Sequence, residues 1–241
     1  MKKIVCFAFI ALLAAGCATD KQTGKSEAEI DYLSAKAAVD RSRYSEATKL
    51  LESFGTKHPY SKFTVQAEIL RIFSSYKGGE YVLTEVLSKE FVDRHPRHPN
   101  VDYAKYMLAM SHYRQSSPAE KDQEQTNNAV GTFKRLLSDH PNSEYAKDGK
   151  RRLQLLYNRL AGHELNVGKY YFGKSRFVAA ANRFQLIVEK YQTTPSIEEG
   201  LYYLAASFDK MGIKDSAKQT AMLLHHNYPN SEWSRKAEPF L

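Results

Sequence analysis

The sequence predicts an all-α fold, a superhelical solenoid of about five helix-turn-helix repeats, on three observations. First, one stop recurs: His58-Pro59-Tyr60-Ser61, His140-Pro141-Asn142-Ser143 and Tyr228-Pro229-Asn230-Ser231, with variants at His95-Pro96 and Tyr191-Gln192. Proline ends the outgoing helix, and the serine two residues later is placed to N-cap the next one. Second, Pro59 to Pro96 and Gln192 to Pro229 are both 37 residues, near the roughly 34-residue period of helical-hairpin repeats. Third, small and aromatic residues between the stops recur at helical spacing, as a stack of antiparallel helices requires.

The units follow in order from Ser26. In the first, Ala35, Tyr44, Ala47 and Leu51 take the packing positions; the second centres on Phe73, Tyr76 and Leu87. The third pairs Tyr103, Tyr106, Ala109 and Tyr113 with Ala129, Phe133 and Leu136, across a polar stretch from Ser116 to Asn128 that reads as an extended surface loop. Glu144 to Phe172 holds no proline and keeps helical periodicity, so it reads as one long helix with Gly162 as its candidate bend. Val167, Gly168, Tyr171, Phe177, Ala180, Phe184 and Ile187 form the fourth unit. Leu201, Leu204, Ala205, Phe208, Ala217, Ala221 and Leu224 form the fifth. These last positions are those of a tetratricopeptide repeat, in which small residues let helices approach and aromatics fill the gaps.

Ahead of the repeats, Lys2 and Lys3 precede an apolar run from Ile4 to Ala15. That run is too short to span a bilayer and reads as a secretory signal. The segment Leu12-Leu13-Ala14-Ala15-Gly16-Cys17 resembles a bacterial lipobox, with Ala14 where leucine is usual. The expected organisation is therefore a signal peptide at 1–16, a lipidated tether at 17–25 with Cys17 acylated, repeats 1–3 at 26–142, and the long helix with repeats 4–5 at 143–241. Cys6 and Cys17 are the two cysteines of the chain, so processing leaves no disulfide or thiol chemistry in the folded part. Several acyl chains anchor stably where one alone is marginal. The absence of aspartate at Ala18 and Thr19 fits delivery to the outer membrane of a Gram-negative bacterium, on its periplasmic face.

Without Lys2 and Lys3 the chain carries 33 basic and 27 acidic residues. This mild excess comes with no long basic run, and export argues against nucleic acid. Enzyme chemistry is not expected either. Gly168-Lys169-Tyr170-Tyr171-Phe172-Gly173-Lys174-Ser175 satisfies the phosphate-loop pattern, but no buried strand precedes it and three bulky aromatics occupy the cradle. His58, His95, His98 and His140 precede prolines at repeat ends, which explains them by position. His163-Glu164 lacks the second histidine of H-E-x-x-H, and His225-His226 point to different helix faces, so neither metal nor cofactor is expected. Most of the 16 tyrosines read as packing residues, the remainder as candidates to line a concave groove.

Several phrases then carry a family: His98-Pro99-Asn100-Val101-Asp102-Tyr103-Ala104-Lys105-Tyr106-Met107, Asp122-Gln123 followed by Thr126, Arg159-Leu160-Ala161-Gly162-His163-Glu164, Val167-Gly168-Lys169-Tyr170-Tyr171, Val178-Ala179-Ala180-Ala181-Asn182-Arg183-Phe184 and Asn227-Tyr228-Pro229-Asn230-Ser231. With the lipobox and the repeat count, they make the chain resemble the BamD (ComL/YfiO) family of lipoproteins of the outer-membrane β-barrel assembly complex. Gln192 in place of proline, and Lys174-Ser175-Arg176 before Phe177, depart from its pattern. The resemblance implies a non-enzymatic subunit that scaffolds the periplasmic domain of BamA through its C-terminal repeats and receives unfolded barrel proteins on its N-terminal repeats. The residues it points to for the partner are Asn182, Arg183, His163, Glu164 and Tyr170. For the substrate groove they are Tyr60, Phe63, Tyr76, Tyr103 and Tyr106. The competing reading on the same architecture is a periplasmic adaptor for envelope or peptidoglycan processes.

Overall fold

The computed structural model describes residues 24–241; the expected signal, Cys17 and most of the tether lie outside the described residues. Twelve α-helices are present among them: α1 (Glu27–Asp40), α2 (Tyr44–Leu50), α3 (Phe54–Lys57), α4 (Thr64–Lys77), α5 (Tyr81–Arg94), α6 (Val101–Gln115), α7 (Glu124–Asp139), α8 (Ala146–Gly173), α9 (Phe177–Lys190), α10 (Ile197–Lys210), α11 (Lys214–Asn227) and α12 (Glu232–Ala237). Five hairpins result: α1–α2, α4–α5, α6–α7, α8–α9 and α10–α11. The two helices of each hairpin pack on one another, the second helix packs on the first helix of the next hairpin, and α1 with α4, α4 with α6 and α8 with α10 add contacts between successive first helices. This is a tetratricopeptide-type solenoid, whose core is strung along the stack as separate apolar clusters. No described helix is long and apolar enough to cross a membrane.

One register organises the hairpins. Twelve residues separate Ala35 from Ala47, Ile72 from Thr84, Gly168 from Ala180 and Ala205 from Ala217, and all eight are buried. In the third hairpin the longer loop moves the equivalent pair to Ala109 and Ala129. The four short hairpins turn through a left-handed residue five positions before the second of each pair: Ser42, Gly79, Ser175 and Gly212, at φ 58, 81, 57 and 77°. The turn demands that conformation, which glycine adopts freely and serine at a cost of about 1–2 kcal/mol. The departure at Lys174-Ser175-Arg176 is thus absorbed by Ser175 in the place of a glycine.

Three expectations are corrected. The second hairpin is not centred on Phe73, Tyr76 and Leu87, which are only half-buried; its interior is Ile72, Thr84, Ser88 and Phe91. Thr84 stands there where the other hairpins carry Ala47, Ala129, Ala180 and Ala217, and Ser88 takes a place that is Leu51, Phe133 and Phe184 in three of them. Thr84 is tolerated because its Oγ1 donates to the Glu80 carbonyl and lies 2.9 Å from Ser75 Oγ, which donates to the Ile72 carbonyl, whereas the buried Ser88 hydroxyl has no partner. The stretch from Ser116 to Asn128 is no extended loop: α7 begins at Glu124, and Gln123 is buried, its amide donating to the carbonyls of Pro118 and Lys121 at 2.8 and 2.7 Å. Of the serines after the stops, only Ser231 is an N-cap, accepting from Trp233 N at 3.1 Å. Ser61 and Ser143 accept similarly from Phe63 and Tyr145, but a further turn intervenes before α4 and α8.

Helix α8 runs unbroken through Gly162 for 28 residues. Its first part inserts Leu156 among Ala109, Phe133 and Leu136, and its second part inserts Leu165 among the residues of α9 and α10. One helix therefore serves two successive cores. Its backbone also settles the phosphate-loop pattern, since 168–173 are helical and no cradle forms.

Candidate docking surfaces

The first helices of hairpins one to three line an open apolar groove of about 280 Å³. Its walls are Tyr32 on α1, Ile69, Leu70 and Phe73 on α4, and Tyr103 on α6. Phe63 stacks on Tyr32 at 5.2 Å, 18° from parallel, and borders it. Of the five residues expected here, the structure therefore gathers Tyr103 and Phe63. Tyr106 is committed elsewhere: it stacks on Tyr145 at 4.8 Å and its hydroxyl donates to Asp148 Oδ2 at 2.7 Å. Tyr76 packs between the two apolar clusters that flank α6, and Tyr60 stands fully exposed on the turn after α3. Tyr32, Ile69, Leu70 and Phe73 were not anticipated. Assigning Phe73 to the interior, one residue out of register, hid it from the groove.

The phenols of this region stay neutral. Burial pushes Tyr103 well up, and burial together with the Asp148 hydrogen bond pushes Tyr106 up to about 12. Burial alone would raise Asp148, but hydrogen bonds from Arg151, Tyr106 and Arg152 outweigh it and hold the carboxyl at about 2. Such groups anchor packing and neither donate nor take protons near neutrality.

A second surface lies on α8 and α9. His163, Glu164, Val167, Tyr170 and Tyr171 recur at helical spacing along α8, and Asn182 and Arg183 face them from α9. Arg183 Nη1 donates to Glu164 Oε2 at 3.1 Å; its side chain is 40% exposed and that of Glu164 17%. His163 Nδ1 donates to the Ala119 carbonyl at 2.6 Å, and Arg159 donates to the Ser116 hydroxyl, so α8 holds down the loop before α7. One cleft of about 370 Å³ is lined by Tyr171, Arg176, Asn182, Arg183 and Leu186. Another of about 360 Å³ is lined by His163, Asn166, Tyr170 and Tyr171. They share Tyr171 as a common wall; four of the five expected partner residues line one cleft or the other, and Glu164 joins them through its bond from Arg183. The Arg183–Glu164 pair was not anticipated as a pair, because its spacing of 19 depends on the turn between two helices.

The histidines at the stops have equivalent structural partners. His58 Nε2 donates to Asp31 and His95 Nε2 to Glu68, both at 2.9 Å and both 27 residues apart, while Lys105 donates to His140. Glu27, Asp31 and His58 bring ligand atoms within 4.8 Å of one another. The ammonium of Lys57 already sits there, 2.7 Å from Glu27 and 3.0 Å from Asp31, which supplies the positive charge a cation would bring.

Comparison with known proteins places this architecture among named relatives. The sequence family YfiO, described as outer membrane lipoprotein, matches residues 25–224. The chain is 31% identical to the outer membrane protein assembly factor BamD of Rickettsia prowazekii over 93% of its length and 90% of the relative's. It is 30% identical to that of Neisseria meningitidis serogroup A, covering 96% and 93% of the two chains. With the factor of Caulobacter vibrioides it shares 28% over 93% and 75%.

Proposed function

This chain belongs to the YfiO/BamD family of outer membrane lipoproteins, which are outer membrane protein assembly factors, and we propose that it works as a two-surface docking scaffold without catalytic chemistry of its own. The α8–α9 face, with Arg183 and Asn182 at its centre, holds the periplasmic domain of BamA. The groove between α1, α4 and α6 receives a strand of an unfolded barrel protein. The acyl chains on Cys17 keep both beside the membrane where insertion occurs. The observation that carries this reading is the separation of the two surfaces on one solenoid, linked by α8, so that one polypeptide can hold a partner and a client together.

The chemistry of each surface fits its assigned occupant. An open aromatic groove takes the alternate apolar side chains of an extended strand without enclosing it. A planar guanidinium beside an amide recognises carboxylates and carbonyls on a folded surface. Depletion of the protein followed by profiling of the outer membrane tests the function. Folded porins are expected to fall severalfold while the wall keeps its composition. Normal porins with septation or wall defects would instead favour an envelope adaptor.

A further inference from the structure

Two departures of the fold from its own repeat meet at one place. The second helices of the later hairpins run 14 to 16 residues without interruption. In the first hairpin that helix is broken into α2 and the four-residue α3. Directly across from the break stands Arg71 on α4. By the register it precedes Ile72 as Leu108 precedes Ala109, Val167 precedes Gly168 and Leu204 precedes Ala205, so an arginine occupies a position that is aliphatic in the later units. Between them opens a cleft of about 520 Å³, lined by Leu51 and Glu52 of the break and by α3, α4 and α5. It is distinct from the aromatic groove, which is lined by first helices only.

The guanidinium in that cleft is poorly satisfied. The Arg71 side chain is 18% exposed, and its nearest carboxylate oxygen, on the exposed side chain of Glu52, is 3.7 Å away, beyond hydrogen-bond reach. Its Nε is buried with no partner. Glu68 is already engaged, accepting from Arg94 at 2.6 Å and from His95 at 2.9 Å, while Glu90 stands 4.0 Å from Arg94, too far for a hydrogen bond. A half-buried cation without hydrogen bonds is costly unless something completes it.

We propose that this cleft receives an acidic side chain of a partner polypeptide, its carboxylate gripped by Arg71 and its apolar neighbours resting on Leu51, Phe54 and Leu87. The fork of a guanidinium matches a carboxylate in a bidentate manner. Glu52 and Glu90, the wall glutamates without a hydrogen-bonded cation, repel a phosphate dianion about twice as strongly as a single carboxylate charge, which favours the monoanion. The volume exceeds that of a small free acid and suits a side chain with flanking residues.

The test uses the full-length chain in detergent, with the Arg71 Nε–Hε resonance as reporter and four probes: acetyl-Leu-Glu-Leu-amide, its Gln counterpart, sodium propionate and inorganic phosphate. The Glu peptide should shift that resonance and bind about tenfold or more tightly than the Gln peptide. Arg71→Leu should abolish this preference while leaving the melting temperature equal or higher, since the register favours an aliphatic residue there. Glu52→Gln should tighten the Glu peptide by removing the competing carboxylate. Equal binding of the two peptides, displacement by phosphate or propionate at equal concentration, a retained preference in Arg71→Leu, a lowered melting temperature in that variant, or no gain in Glu52→Gln would each overturn the assignment.

Discussion

Gly168→Ala is expected to destabilise the fold by about 2 kcal/mol, in spite of the roughly 1 kcal/mol that alanine gains over glycine inside a helix. A Cβ at this position would lie 2.5 Å from Cε1 and 2.8 Å from Cζ of Phe184. That ring has nowhere to go, being completely buried and stacked on Tyr203 at 5.4 Å. In the fifth hairpin the facing pair is Ala205 with Ala221, two small residues; in the fourth, glycine compensates for phenylalanine. Urea unfolding should therefore show a lower midpoint for Gly168→Ala and partial recovery when Phe184→Leu is added, a coupling that isolates the clash. A wild-type midpoint for the single variant would mean that α8 and α9 approach less closely than the structure has them.

Arg183→Glu is expected to release BamA, with co-purification falling at least tenfold while far-UV circular dichroism stays unchanged. The internal pair with Glu164 is too solvent-exposed at its arginine end for its loss to unfold the hairpin, and about 1 kcal/mol or less is expected from stability measurements. The substitution also sets two carboxylates side by side on the face where a partner would dock. The exchange Glu164→Arg with Arg183→Glu restores the internal pair; continued loss of co-purification then identifies Arg183 as the group the partner reads. Unaltered recovery of BamA with Arg183→Glu would refute the assignment of this face.

The repeats were legible because their signals are local and redundant. A proline stop, a small residue on the first helix and another twelve positions later mark a hairpin whatever surrounds it, and Ala205, Ala217 and Pro229 show all three. The second hairpin misled because Thr84 and Ser88 are polar by type yet fill the interior as small side chains, with Thr84 bonding back to its own helix. That one-residue slip moved Phe73 from the groove to the core. The break between α2 and α3 carries no sequence mark, since neither proline nor a left-handed residue stands at 51–53. Half-buried aromatics such as Tyr103 and Tyr106 have the same helical spacing whether they line a groove or seal a joint. Only the third dimension separates them: Tyr106 meets Asp148, 42 residues away, and Tyr103 faces the open cleft.

Site-specific photocrosslinking in intact cells tests most directly the assignment of different occupants to the two surfaces. A photoreactive phenylalanine derivative at Tyr103 and, separately, at Asn182 should give two adduct patterns. Unfolded barrel precursors are expected from Tyr103 and BamA from Asn182, without exchange between them. Identical adducts from both positions, or BamA captured at Tyr103 and precursors at Asn182, would contradict it.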